Sequence, residues 1–487
     1  MEPNWGFYGR RSELESLASI LRRGRWFFAR ISGRRRIGKT TLIQKALQEA
    51  DRREFFYFQV PDSGPAGVLA AVRDAAATFP VPAGLPLPTN LLQLARFFGL
   101  LAERGFIVAI DEFQYFNRQR INEFCSHLQA EVDRLGSQPG ESRGGLIVLG
   151  SIHTEVSALL DDRTAPLYNR TTDELDLGHL DVASVLEILR IHADDDPARL
   201  LFLWNLFEGV PKFYRDCYEV GILGSERREF LRRAFFESSS PLRYEADNWF
   251  LKELHGRYDV VLRFLSRRPG ATQGDVQSHV TEVNPDGKEQ VGGYLKILAD
   301  RYRMVERKLP VFARPTARKG RYYLTDNFLR SWLRALAGPV SAVHFRPIDE
   351  LVGRADEALA QAEGVGFERL VATLYEERSR KGLAGFPLSH RIDGWWDRGD
   401  VEIDLVALDD EKKRIRLGHC RRSSRKLLEG VPAFRGHVSR FLEQRRELAG
   451  WEVELVAIAP RIPEGIRRLI RDAGLIPEDL RELTDGL

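Results

Sequence analysis

Two hydrophobic rhythms alternate along the first third of the chain. Trp26–Ile31, Glu54–Val60, Phe106–Phe113 and Leu146–Ser151 are short, largely apolar runs, and each reads as a buried strand. Asp173–Leu177 gives a weaker fifth. Apolar residues at helical spacing lie between them: Leu14, Leu17, Ala18 and Leu21; Leu42, Ile43, Ala46 and Leu47; and Ile121, Phe124, Cys125, Leu128, Val132 and Leu135. Pro80, Pro82, Pro86 and Pro88 confine their stretch to a loop. Strands and helices in alternation specify an α/β fold with a parallel sheet covered on both faces.

The texture changes after Gly256. Val260, Val261, Phe264 and Leu265 mark one helical face, and Thr272–Asp275 has capping-box spacing before Val276 and Val280. Val291, Tyr294, Leu295 and Leu298 give a third amphipathic helix, and strands at Arg303–Arg307 and Arg321–Leu324 flank a turn. Three helices and a hairpin predict a winged helix-turn-helix. Further on, Gly366–Val371 opens a helix, Asp400–Leu408 alternates acidic and apolar residues as a half-buried strand, and Arg414–Arg421 reads as its neighbour. The expected segments are a core at 1–177, a helical lid at 178–250, the winged helix at 251–338 and a small α/β domain at 339–487.

Composition narrows the class. The chain has 487 residues, enough for about three domains, and is 43% hydrophobic and 29% charged. Its net charge is only +3, so polyanion affinity must come from local patches. Cys125, Cys217 and Cys420 are isolated, which favours a reducing cytoplasm over a disulfide framework or a cysteine metal site. No apolar run approaches the roughly 18 residues of a membrane helix, and Met1–Trp5 lacks a secretory pattern, so no membrane partner is expected.

Chemistry concentrates at Gly33-Arg34-Arg35-Arg36-Ile37-Gly38-Lys39-Thr40-Thr41, which fits G-x-x-x-x-G-K-[ST] between a strand and a helix. The glycines allow the backbone close to phosphate, and loop N–H groups would point at it. Lys39 would reach the β/γ-phosphates of ATP, and the Thr40 hydroxyl would ligate Mg²⁺. Asp111 ends the third strand, where it would hold Mg²⁺ through water, and Glu112 would deprotonate the attacking water. Ser151 either contacts the γ-phosphate or the water, or is a plain strand-end hydroxyl. The turn Gly9-Arg10 either approaches the adenine or simply begins a helix capped by Ser12.

These motifs resemble the archaeal-type ATPase family, a branch of the STAND and AAA-related P-loop ATPases. The likeness runs through Tyr8-Gly9-Arg10, Gly33–Thr41, Ile110–Gln114, Gly150-Ser151, Pro166–Arg170 and the lid-like Gly209-Val210-Pro211. It implies that Ser151 is the sensor and Arg170 the arginine that follows it, acting in its own chain or in a neighbour's. The family usually has Gly where Asn169 stands, and Arg34–Arg36 make this loop unusually basic.

The resemblance also implies a winged helix and a restriction-endonuclease-like C-terminal domain. Lys288 and Lys296 on the third helix and Arg314, Arg318, Lys319 and Arg321 on the wing are candidate phosphate contacts for DNA bound without sequence preference. The other use of such a module is packing or dimerisation. Lys412–Arg446 adds 12 Lys/Arg against two Glu. In the nuclease-like domain Glu368 and Asp404 match the family pattern, but His419 and Arg421 stand where Glu and Lys are expected, so the site reads as vestigial. The expected function is a Mg²⁺/ATP-dependent switch coupled to DNA, a protein partner or a second copy. The alternatives are an ATP-gated nuclease and a scaffold with little turnover.

Overall fold

The computed structural model describes residues 4–138, 140, 142–150, 153–245, 257–283, 290–317, 319–397 and 401–487. Two compact units divide the chain, Arg10–His179 and a second built from residues 4–9 together with Leu180–Leu487.

The first unit is organised on five strands: β1 (Phe27–Gly33), β2 (Phe55–Gln59), β3 (Ile107–Asp111), β4 (Gly145–Gly150) and β5 (Asp173–Leu177). Their order is β2-β3-β4-β1-β5, and every pairing is parallel. Parallel strands with helices on both faces lose contact with water on both sides, which is why β4 reads as an unbroken apolar run and β1 is buried along nearly its whole length. Phe28, Phe56, Phe98, Val108, Phe124 and Leu146 lie in one buried cluster. Because β4 lies between β1 and β3, the ends of the loop strand and of the acidic strand are one strand apart. The expected α/β parallel sheet is the observed one.

In the second unit, three lid helices (Val182–His192, Pro197–Phe207 and Pro211–Glu219) precede helices Arg257–Arg267, Gln273–Val283 and Val291–Lys296. An antiparallel hairpin of β6 (Val305–Lys308) and β7 (Arg321–Leu324) follows, the element order of a winged helix. Thr272 and Asp275 cap the middle helix reciprocally. A second sheet has the order β12-β11-β10-β9-β8, made of β8 (Asp393–Trp396), β9 (Glu402–Asp409), β10 (Arg414–Cys420), β11 (Glu452–Ala459) and β12 (Ile476–Asp479).

The helix expected to open at Gly366 is instead the middle of a 33-residue helix, Ile348–Arg380. It is the spine of this unit. Leu203, Phe207, Leu351, Leu359, Phe367 and Leu374 share its core with Val261 and Leu265 of the helix Arg257–Arg267. Its polar side chains reach both the preceding helices and the hairpin. Glu363 and Asp356 both pair with Arg227 of the lid region, and Arg369 donates to Glu306 at 3.1 Å and to the Leu324 carbonyl at 2.7 Å. Glu377, with no side-chain exposure, accepts the N–H groups of Val182 (2.7 Å) and Ala183 (3.1 Å) at the start of a lid helix. Those N–H groups have no partner within their own helix, and a carboxylate is the best acceptor for them.

Replacing Glu377 by Ala should destabilise the protein by about 3 kcal/mol, the usual range for removing one partner of a buried charged network. Glu377→Gln should lose less, because an amide oxygen still accepts. Chemical denaturation of the two variants beside wild type checks the ranking.

Candidate functional site

The residues that read as a phosphate loop form one between β1 and the helix Lys39–Glu49. Gly33 has φ +146°, and a β-carbon there would stand 2.8 Å from the Leu177 carbonyl oxygen. Gly38 has φ +93° and turns the chain into the helix. Both positions therefore demand glycine. Between them, Arg36 takes a left-handed conformation at φ +68°, while Arg35 is exposed.

Lys39 is buried, and its Nζ donates to the carbonyls of Gly33 (2.6 Å) and Arg34 (3.1 Å). Burial lowers its ammonium to about 8, while the charges of Asp111 and Glu112 act in the opposite sense. Thr40 Oγ1 lies 3.5 Å from Asp111 Oδ2, and the Tyr57 hydroxyl donates to the same oxygen at 2.6 Å. Burial, and then the Asp111 carboxylate, pushes the Tyr57 phenol well up. Asp111 Oδ1 accepts the Glu112 N–H at 2.8 Å. Glu112 is left-handed at φ +53°, and its carboxylate accepts a hydrogen bond from the Gln114 amide. Lys39, Thr40, Asp111 and Glu112 thus converge. Two oxygen donors, a hydroxyl and a carboxylate, fit a hard cation such as Mg²⁺.

Tyr57 and Gln114 were not among the expected site residues. Tyr57 is the single hydroxyl in the aromatic strand Phe55–Gln59, and its register with β3 carried the signal. Arg10, not Ser12, is the N-cap of the helix Arg11–Arg22, and its side chain also approaches the phosphate loop: Nη2 donates to the carbonyls of Ile37 (2.9 Å) and Gly178 (2.7 Å). Ser151 directly follows the end of β4 but lies outside the described residues.

Arg170 requires a correction. Thr172 N–H donates to the Phe28 carbonyl at 2.8 Å, at the start of β1, whereas the phosphate loop follows Gly33 at its other end. Five strand residues at roughly 3.3 Å each separate the two by about 17 Å. Arg170 is gripped there by Asp133, from Nε at 2.7 Å and Nη2 at 3.0 Å. It does not reach its own chain's phosphates. Next to it, Asn169 has φ +56°, which explains why the resembled family uses Gly there and why Asn is tolerated.

The expected DNA surface is also revised. Lys288 and Arg318 lie outside the described residues, while Lys296 and Arg314 are exposed. Lys319 pairs instead with Asp397 at 3.0 Å, an acid that also accepts from Arg440 (3.1 Å) and Gln444 (2.9 Å). Arg321 pairs with Glu402 at 2.7 Å and stacks 4.6 Å over Trp396, whose indole N–H donates to the Lys319 carbonyl. The wing is seated on β8 and β9, where these two cations have acidic partners within the chain. The Lys412–Arg446 run is neutralised in part, because Arg414, Arg416, Arg421, Arg422, Arg425 and Arg440 have acidic partners.

In the C-terminal sheet, Asp404 Oδ2 accepts the Cys420 N–H at 2.8 Å and Arg421 Nη1 at 2.9 Å, with His419 Nδ1 3.3 Å away. The His419 ring stacks on Phe434. Burial raises the Glu368 carboxyl to about 8, assisted by the charges of Asp404 and Glu402. The four expected residues do gather, but an arginine occupies the carboxylate a cation would need. Among the described residues, no three His, Cys, Asp or Glu side chains form a group that could hold a metal ion.

Nucleotide affinity should be level below about pH 7.5 and weaken above the Lys39 value of about 8, approaching tenfold per pH unit, because only the ammonium compensates phosphate charge. Stability should move the other way. A lysine whose folded value lies below 10.5 disfavours the folded state at low pH, and that penalty fades as pH rises through 8 towards 10.5. Titrating ADP binding and unfolding over the same pH range tests the opposed slopes.

Residues 332–429 match a family described as archaea bacterial proteins of unknown function (DUF234). An uncharacterized protein of Methanocaldococcus jannaschii is 27% identical over 415 residues, 84% of this chain and 85% of that protein. Among solved structures, the Walker-type ATPase PABY2304 of Pyrococcus abyssi superposes with a TM-score of 0.50 at 17% identity, over 67% of this chain and 96% of that one. The Aeropyrum pernix ORC2 protein gives 0.45 at 17%, over 74% and 97%. No helix among the described residues is long and apolar enough to cross a membrane. The match over residues 332–429 and the fold shared with the Pyrococcus abyssi Walker-type ATPase are consistent with the resemblance to archaeal-type P-loop ATPases carried by the motifs.

Proposed function

We propose that the chain is a Mg²⁺-dependent ATP-binding and ATP-hydrolysing switch. The observation that carries this reading is the convergence of Thr40 and Asp111 at 3.5 Å beside a buried Lys39. In ATP, the loop N–H groups and Lys39 would hold the phosphates, Thr40 and Asp111 would hold the magnesium ion, and Glu112 would accept a proton from the attacking water. Magnesium neutralises phosphate charge in such sites. Lys39 now rests on two loop carbonyls, contacts that the phosphates would replace. Ser151 is retained as the sensor on its place after β4. Arg170, half-buried against Asp133 at the far end of the sheet, would act only on the nucleotide of a second copy.

The segments 1–177, 178–250, 251–338 and 339–487 are proposed as core, lid, winged helix and nuclease-like domain. Contacts of the helix Ile348–Arg380 with both the lid and the wing support the view that the last three respond together to nucleotide. Coupling to DNA rests on Lys296 and Arg314. A protein partner or the second copy fits the same surface if DNA does not. The nuclease alternative is weakened by the Asp404–Arg421 pair, and the scaffold alternative is separated by turnover.

Lys39→Ala should abolish ATP binding, and Glu112→Gln should keep it while lowering kcat by 10²-fold or more, on the order of a lost general base. Phosphate release and equilibrium binding separate the two effects. Unchanged turnover in Glu112→Gln would remove the general-base assignment.

DNA binding should be weak, fall steeply with salt, and weaken further in the doubly neutralised Lys296→Ala, Arg314→Ala variant. Neither Mg²⁺ nor Mn²⁺ should support cleavage. Arg421 cannot give up its proton near neutral pH, and it holds Asp404. Supercoiled and single-stranded DNA, assayed against an Asp404→Ala control, decide this, and cutting lost in that control would restore the nuclease reading.

A further inference from the structure

Arg10 is the residue of the Tyr8-Gly9-Arg10 motif that the proposed chemistry leaves without a task. Its surroundings give it one. The chain passes between its two compact units at residues 9–10 and again at 179–180. Arg10 is the first residue of the nucleotide unit, and it is 9% exposed. Its Nη2 donates to the Ile37 carbonyl in the phosphate loop at 2.9 Å and to the Gly178 carbonyl beside the second crossing at 2.7 Å. Its Nη1 donates to Glu13 Oε1 at 3.3 Å. One guanidinium thereby reaches the loop, the end of β5 and the first helix. Its planar fork of five donors can do this, and a lysine ammonium on a flexible stem cannot do it in one geometry.

The bond to Ile37 has a direct effect on phosphate recognition. In a planar trans peptide the carbonyl and the following N–H point in opposite directions. Holding the Ile37 oxygen outward on Arg10 aims the Gly38 N–H the other way, into the loop, as a phosphate donor must be aimed. The backbone at this place is also unusual. Gly9 and Arg10 are consecutively left-handed, at φ +63° and +55°. That conformation is unfavourable for an arginine, and the three contacts of its side chain hold it there.

We propose that Arg10 is a positioning residue that fixes the phosphate loop for nucleotide and ties the state of that loop to both chain crossings. The proposal rests on the nucleotide reading given above. When phosphate draws the loop amides inward, the Ile37 carbonyl tightens on Arg10, and Gly178 and the Gly9-Arg10 turn are fixed through the same group.

The test uses the full chain with ADP and Mg²⁺, titrated by fluorescence of a labelled ADP and followed by amide hydrogen exchange. In wild type, ADP should slow exchange at 33–40 and also at 9–11 and 178–180. Arg10→Ala should weaken ADP binding about tenfold, in the range expected for a lost charge-assisted hydrogen bond. At saturating ADP its protection should be confined to 33–40. Arg10→Gln, whose side chain is shorter and uncharged and cannot span the loop, Gly178 and Glu13 together, should show the same loss of protection at the crossings. It decides the matter if the alanine variant does not fold. Wild-type affinity and wild-type protection at the crossings in either folded variant would overturn the proposal. Lys39→Ala that still binds ADP like wild type would instead overturn the nucleotide reading, whatever Arg10 does.

Discussion

A helix 33 residues long can organise a protein only if the polar side chains on its buried face are satisfied where water is excluded. Ile348–Arg380 meets that constraint with Glu363 and Glu377, 2% and 0% exposed at their side chains. An isolated carboxylate at such burial would cost several kcal/mol, so each must have a charged or N–H partner. Glu363 has Arg227 and Arg422, and Glu377 has the two N–H groups at the start of the lid helix together with Lys381. These requirements are directional. They specify which lid surface faces the helix, where apolar packing alone would tolerate a slide. The lid, the hairpin and the second sheet are consequently parts of one packed unit rather than beads on a string.

What could be read in the sequence follows the range of the interactions involved. The phosphate loop is a local device: strand, glycines, Lys39, Thr40 and helix are contiguous, so their spacing alone identifies them. Asp111 and Glu112 were legible because an apolar strand ending in two acids is also a local pattern. The roles of Lys319, Arg321 and Arg170 depend on partners at Asp397, Glu402 and Asp133, and nothing in their own neighbourhood announces those partners. The 33-residue helix was missed for a related reason. Gly364 and Gly366 interrupt its pattern, while tertiary packing at Leu359, Phe367 and Leu374 overrides the local propensity.

Charge counting explains why basic runs misled. The chain carries 73 Lys and Arg against 70 Asp and Glu, so nearly every cation has an acid available somewhere in the fold. A run of cations in sequence becomes a positive surface only where the fold brings no acids to it. In the second sheet the fold does bring them: Arg416 lies between Glu454 and Glu478, and Arg414 between Asp409 and Glu454. The wing is caught in the same economy.

The C-terminal carboxylates show that economy acting on chemistry. Two acids as near as Glu368 and Asp404 repel one another, and a fold can relieve this with a cation, with a proton or with an arginine. Here Arg421 neutralises Asp404, and burial favours the protonated form of Glu368 up to about pH 8. Each solution removes an oxygen ligand from any metal. A guanidinium also differs from an ion in being covalently fixed, so it stabilises the fold whether or not metal is present. The ion pair and the Cys420 N–H on Asp404 also hold β9 to the end of β10.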